Sequence, residues 1–365
     1  MSTSLIPAEL LKRSDKILFI AHLALGDFTY LQSFFKAFAA QNPHLKIHLW
    51  VDEVRRTADA TQWPHLKHYS LYDWVRACPF FDKVYDRTYS PALYGESIAE
   101  ARREAYPIVV SLATLRPQLY ASLARKISPS GLVIGMTRKI RLLQLHHLLS
   151  YRKLDAAMPA YKGQGDYHIS DVYAHWFRQL SDLELTAQQR FPFVDIPENW
   201  RRDTERTLQS WGFWPRQGKL VMINPYAKTK KRCWPLDRVV ELVRAMQAKE
   251  HWRDASFIVN AVPQELDDAR AVIGRHGLER TVIFSAQDNF FQLPALLERC
   301  DLIISVETAV MHLANAVHVP VVALMRQKNP EWVPLDHANS TVITAPGRRD
   351  WVQAISVEQV MEAIR

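Results

Sequence analysis

At 365 residues the chain is long enough for two domains of ordinary size, and its 48% hydrophobic and 23% charged residues can build a substantial core. No apolar run reaches the roughly 18 residues that a transmembrane helix needs, so any meeting with a membrane is expected to be peripheral. A net charge of +8 fits either a basic solvated face or an anionic partner, such as a nucleic acid, a phosphorylated sugar or an acidic membrane surface.

Residues 16–22 (KILFIAH) are rich in β-formers and predict the first strand. Leu25-Gly26-Asp27 follows, then a helical pattern over residues 28–41. Further strands are predicted at 47–51, 83–85, 108–111 and 132–135, separated by segments of helical period. Residues 138–197 differ: they are rich in Tyr, His, Arg and Lys, with a helical stretch near 168–180, and read as the end of one domain and its connection to the next. Alternation restarts with strands at 220–224, 257–260, 282–284, 302–305 and 319–324. Helices are predicted at 236–249, 264–276, 291–299, 309–317 and 357–364. Two successive β/α sets predict two α/β domains, each a doubly wound parallel sheet, with boundaries at 1–184 and 185–365. Ligands of such sheets sit outside the carboxyl ends of the strands.

Three strand-to-helix junctions carry candidate chemistry. In the first, Gly26 permits a tight turn or a close ligand approach, and Asp27 falls at or near a helix N-cap. Asp27 is therefore either a capping residue or a general base, which must lie within hydrogen-bond reach of the proton that it takes. The second junction, residues 224–235, puts Lys228, Lys230, Lys231 and Arg232 in a loop before Pro235, which suits a helix first turn. It is either an exposed basic loop or a phosphate site of cations beside a helix N-terminus. The third runs from Ser305 through Glu307, Thr308 and Ala309 to His312. Thr308 is placed to cap the helix, whose first-turn N–H groups suit a diphosphate. His312, taken alone, reads as a satisfied core or surface histidine.

Together these segments resemble glycosyltransferase family 9, the heptosyltransferases. The first strand, the loop ending Gly26-Asp27 and the next helix match the family's opening. The basic loop ending Trp234-Pro235 matches its second motif, and residues 305–314 match its strand, Asp-Thr-Gly and His-Leu-Ala. The resemblance implies a GT-B fold, two Rossmann-like domains facing a central cleft. The first would bind the acceptor and the second the nucleotide-sugar donor. It implies inverting transfer with Asp27 as the base. Lys228, Lys230, Arg232, Glu265, Glu307, Thr308, Ala309 and His312 would contact the donor, with Glu265 near the nucleotide ribose. Gly26, Arg116 and His168 would contact the acceptor. The family's Asp-Thr-Gly is here Glu307-Thr308-Ala309, and Arg232 stands where a lysine is usual, trading a point charge for a planar fork. The donor implied is ADP-heptose and the acceptor an anionic glycolipid or oligosaccharide of the lipopolysaccharide core.

No cofactor or metal is expected. The chain has no Asp-x-Asp, and Cys78, Cys233 and Cys300 form no ligand pattern, reading instead as reduced cytoplasmic thiols. Residues 1–13 lack the long apolar region of a secretory signal. Residues 138–153 (RKIRLLQLHHLLSYRK), with Arg138, Lys139, Arg141, Arg152 and Lys153, suit either a packed helix with a basic outer face or a face toward a membrane surface or a phosphorylated lipid-linked sugar, and the peripheral contact implied is with the inner membrane. Nucleic acid is not expected as a partner, for want of a recognition motif. Gly163-Gln164-Gly165 lacks the third glycine of a dinucleotide fingerprint, and no P-loop occurs. The non-enzyme alternative is a silent binding protein on the same fold; a third reading is a transferase with a different nucleotide-sugar donor.

Overall fold

The computed structural model describes residues 4–139, 147–163 and 166–364. Arg141 of the basic stretch and Gln164-Gly165 lie outside the described residues. The chain divides into two compact units, one of Met1–Gly165 with Ser170–Arg190, the other of Asp166–Ile169 with Phe191–Arg365.

The first unit contains strands β1 (Lys16–Ala21), β2 (Lys46–Val51), β3 (Lys83–Tyr85), β4 (Ile108–Ser111), β5 (Leu132–Met136) and β6 (Ala156–Met158). All pair in parallel in the order β3-β2-β1-β4-β5-β6. The helices are α1 (Ala8–Arg13), α2 (Leu25–Gln41), α3 (Trp63–Lys67), α4 (Ser70–Ala77), α5 (Pro91–Arg103), α6 (Pro117–Ile127), α7 (His147–Tyr151) and α8 (Ile169–Ser181). Phe28, Leu31, Phe35 and Phe38 recur at helical spacing on α2 and are buried. Phe35 and Phe38 meet Phe19 of β1 edge-on, at 5.1 and 5.5 Å between centroids, and Phe177 of α8 stacks on Phe19 at 6.0 Å. This aromatic layer fixes α2 over β1 and so sets where the β1–α2 turn lies.

The second unit contains α9 (Glu198–Ser210), β7 (Leu220–Asn224), α10 (Leu236–Gln247), β8 (Ser256–Asn260), α11 (Leu266–Arg275), β9 (Thr281–Phe284) and α12 (Gln292–Leu297). It continues with β10 (Leu302–Val306), α13 (Ala309–Ala316), β11 (Val321–Met325), β12 (Ser340–Thr344) and α14 (Val357–Ala363). The parallel sheet runs β12-β11-β10-β7-β8-β9. Strands β7, β8, β10 and β11 are buried throughout. Val239, Val240, Leu242, Val243 and Met246 of α10 are buried too, each such side chain stabilising by about 1.5–3 kcal/mol.

Both sheets reverse strand order at one place: between β1 and β4 in the first unit, and between β7 and β10 in the second. These are the two topological switch points, where the crevice of a doubly wound sheet opens. The expected pair of doubly wound α/β units is what the structure contains, and this is the architecture of the GT-B fold. Three local expectations shift. Helix α2 begins at Leu25, three residues early, so Leu25-Gly26-Asp27 is its first turn rather than a preceding loop. Pro235 is the residue before α10, not inside it. The two edge strands β6 and β12 were not expected.

Candidate active site

At the first switch point Ala24 is the N-cap of α2 and Asp27 the third helical residue. Its Oδ2 accepts the Ala24 N–H at 3.1 Å, the acidic half of a capping box. Asp27 Oδ1 accepts the Tyr173 hydroxyl at 3.1 Å. Burial pushes the Asp27 carboxyl above the ordinary carboxylate range; the Ala24 amide, the Tyr173 hydroxyl and His22 oppose it. Both readings of Asp27 therefore meet in one side chain: it caps a helix, and its raised proton affinity suits a base. Gly26 takes part in the helix and has no left-handed φ.

His22, just past β1, stacks on Tyr120 at 5.7 Å between centroids, and its Nδ1 is buried without a hydrogen-bond partner among the described residues. Burial lowers its pKa, with Asp27 and then Asp52 opposing. Tyr120 donates to Asp52 Oδ2 at 2.8 Å, and Arg56 pairs with Asp52 Oδ1. Arg56 also lies 3.4 Å from the centroid of the Tyr94 ring. Asp52, Arg56, Tyr94, Arg116, Leu119 and Tyr120 line a cavity of about 210 Å³. Arg116 is exposed and takes φ 52°, ψ 48° as the N-cap of α6, a left-handed conformation uncommon for an arginine.

At the second switch point a buried polar network joins three strand ends. Asn224 Nδ2 donates to Ser305 Oγ and Thr308 Oγ1, both at 3.0 Å. Asn260 Nδ2 donates to Asn224 Oδ1 at 2.8 Å. Thr308 caps α13, its hydroxyl accepting the Val310 N–H at 3.4 Å, and Ala309 is the first helical residue. The basic loop is pinned at its base by Trp234 N–H to Pro225 O at 2.8 Å and by Trp234 Nε1–H to Ile355 O at 3.0 Å. Among the described residues no carboxylate pairs with Lys228, Lys230 or Arg232. Lys231 lies 5.8 Å from the centroid of the Trp351 ring. An anion would meet cations whose charge is not already neutralised, beside a capped helix whose first amides lack intrahelical partners.

Glu307 is 7% exposed in its side chain and is occupied: Arg326 Nε approaches one oxygen at 3.3 Å and Asn329 Nδ2 donates to the other at 2.7 Å. Arg326 also lies 5.0 Å from the centroid of the Trp351 ring. The longer acid is thus held within an ion pair instead of presenting a bare charge. His312 is buried inside α13 and its pKa is pushed down to about 3, by burial first and then by His168. It is neutral at physiological pH and adds no cation. His168 belongs to the second unit, with His312, and not to the first as expected for an acceptor residue. Glu265 ends the short helical turn Pro263–Glu265 after β8. Asn224, Asn260, Ser305, Asp52, Tyr120 and Arg326 belong to no local motif that marks them for a role. Their only shared signal is position, at or just past a strand's carboxyl end, or facing one from α6.

Residues 98–353 match the family model of glycosyltransferase family 9 (heptosyltransferase), well over half of the chain. The chain belongs to glycosyltransferase family 9. It is accordingly a glycosyltransferase. Asp27 precedes the matched residues, whereas both second-unit motifs lie within them. Solved structures with a similar fold include the glycosyl transferase family 9 from Veillonella parvula DSM 2008, at 19% identity and TM-score 0.74 over 97% of this chain and 96% of that one. The E. coli ADP-heptose lps heptosyltransferase II is similar at 16% identity and TM-score 0.67, over 96% and 97%. E. coli heptosyltransferase WaaC with ADP is similar at 14% identity and TM-score 0.62, over 96% of each chain. No curated protein matches the chain. Among the described residues of this family 9 enzyme no helix is long and apolar enough to cross a membrane, and no three His, Cys, Asp or Glu side chains gather as a metal site would need.

Proposed function

We propose that this glycosyltransferase moves heptose from ADP-heptose to a hydroxyl of the lipopolysaccharide core or a related anionic glycan, with inversion and without a metal. The observation that carries the reading is the second switch point, where Lys228, Lys230 and Arg232 stand unneutralised beside the Thr308-capped helix. This is a charge pattern for a diphosphate. E. coli heptosyltransferase WaaC, similar in fold, has been solved with ADP and with ADP-2-deoxy-2-fluoro heptose, which motivates ADP-heptose as the donor. Asp27 takes the proton of the acceptor hydroxyl. The oxygen then attacks the anomeric carbon as the bond to the diphosphate breaks, and the cations and the α13 amides stabilise the departing charge. The first unit would hold the acceptor, with the cavity beside Arg116 as a subsite.

The Glu307–Arg326 pair and Ala309 favour a second reading, a donor with a different sugar, because these residues replace the family's Asp and Gly. Thermal unfolding with ADP, UDP, GDP and CMP, each with and without EDTA, separates the readings, together with a transfer assay from ADP-heptose. A ligand at about 100 times its Kd adds roughly 2.7 kcal/mol of stability. We expect ADP to shift the transition with EDTA present, and ADP-heptose to be consumed. A shift with another nucleotide alone would replace the donor. A shift lost with EDTA would overturn metal independence. Binding without turnover of any donor would leave a silent binding protein.

A further inference from the structure

Glu307 is the last residue before the Thr308 cap of α13, and Arg326 is the first past β11. Strands β10 and β11 pair in parallel with Val306 opposite Leu324, which brings Glu307 and Arg326 to the same end of the sheet. Both side chains are 7% exposed. Arg326 reaches Glu307 through Nε at 3.3 Å and Nη2 at 3.5 Å, whereas Arg201 grips Glu298 at 2.9 and 3.0 Å. An ion pair taken out of water loses hydration that only close geometry repays. This pair is buried yet loosely closed, so it is a poor source of stability. Its surroundings point to another use. The centroid of the Trp351 ring lies 5.0 Å from the Arg326 guanidinium and 5.8 Å from Lys231 Nζ. Gln353 Nε2 donates to Lys230 O at 3.2 Å, so the Trp351 segment also braces the basic loop. Asn224, at the head of that loop, donates to Thr308 Oγ1. The pair thus borders both the loop cations and the first turn of α13. A bare carboxylate here would repel a diphosphate, and a bare guanidinium would attract it.

We propose that Arg326 is a positioning residue for the donor: it neutralises Glu307 beside the diphosphate site, and the balance of this one ion pair sets how tightly the diphosphate is held. The assignment rests on the donor reading of the second unit. Trp351 keeps the guanidinium in place through its ring face. Arg326 acts through Glu307, so that the attraction of Lys228, Lys230 and Arg232 for the anion is not offset by a neighbouring negative charge.

The test is calorimetric titration of the wild type, Arg326→Met, Glu307→Gln and the double variant with inorganic pyrophosphate, ADP, UDP and GDP, each variant being read on the ligands that the wild type binds. Methionine keeps an unbranched side chain without the charge, and glutamine keeps an oxygen for Asn329 Nδ2. Arg326→Met should weaken binding about tenfold, because it bares the carboxylate, and Glu307→Gln should tighten it about tenfold, because it bares the guanidinium. The double variant should return to within about threefold of the wild type, the mark of two changes acting through one pair. A purely structural pair would instead weaken binding in both single variants. A change of the same sign in both, or no change in either, overturns the proposal. So does a double variant as weak as Arg326→Met, which would place the guanidinium on the phosphates themselves. Where Arg326→Met, with its buried carboxylate left unpaired, does not fold, Glu307→Gln decides alone, and affinity at or below that of the wild type overturns the proposal. A wild type that binds neither pyrophosphate nor any of the three nucleotides overturns the donor reading as well.

Discussion

Asp27 sits under opposing demands. Its carboxylate caps the amide of Ala24 and accepts from Tyr173, yet burial outweighs both and raises its proton affinity. A carboxyl whose pKa is higher folded than unfolded holds its proton more tightly in the native state. Stability then falls as pH rises from the ordinary Asp value through the folded one, and the full cost is present above that. Asparagine carries no charge and still offers an oxygen to Ala24. Asp27→Asn should therefore melt higher than the wild type at pH 7–8, with the gap closing as the pH falls toward about 3.9, the ordinary Asp value. The same variant should lose transfer by about a hundredfold or more, since a positioned base contributes roughly 10²–10⁴. A lower melting temperature at neutral pH would show that burial does not strain the charged form. Near-normal turnover would remove Asp27 as the base.

Most of the elements were legible because buried parallel strands are continuous apolar runs, as in KILFIA of β1 and LVMIN of β7. The two strands that escaped are edge strands. Ala156–Met158 is three residues long, and Ser340–Thr344 (STVIT) is at most half-buried along its length. An edge strand pairs on one side only, so its sequence need not be apolar on both faces. The candidate site divides along a similar line. Gly26-Asp27, the basic loop and Thr308 are local patterns at junctions. Asn224, Asn260 and Ser305 acquire meaning only when three distant segments lie side by side. Two substitutions separate these classes. Asn224→Ala leaves the buried Asn260 amide without its acceptor and should lower stability by about 1–3 kcal/mol. Arg232→Ala removes a cation paired with no carboxylate among the described residues. It should leave stability within about 0.5 kcal/mol while weakening nucleoside diphosphate binding on the order of ten- to a hundredfold. Urea unfolding and calorimetry read the two effects separately. Unchanged nucleotide affinity would remove Arg232 from the phosphate site.

For the whole molecule, the net charge of +8 bears on where the enzyme works. Within the first unit Leu115 and Leu119 at α6 and Leu148 and Leu149 on α7 are exposed, Leu149 by 65%, and α7 packs against α6. Arg116, Arg152 and Lys153 are exposed along the same segments. Apolar side chains beside arginine and lysine suit the boundary of an anionic bilayer, where each cation near the surface contributes about 1 kcal/mol and each leucine adds burial. Such a surface suits peripheral contact with an anionic bilayer, the setting that a lipid-linked acceptor would require. The two contributions respond differently to salt. Screening shortens the Debye length from about 10 Å at 0.1 M to about 3 Å at 1 M and removes the electrostatic part, whereas burial of leucine persists. The enzyme should sediment with vesicles containing phosphatidylglycerol at 0.1 M salt and be largely released at 1 M. Leu149→Ser should sediment less at both concentrations while nucleotide binding stays normal. Protein that remains in the supernatant with anionic vesicles at 0.1 M salt would sink the membrane reading, and the charge would then be left to the phosphates of donor and acceptor.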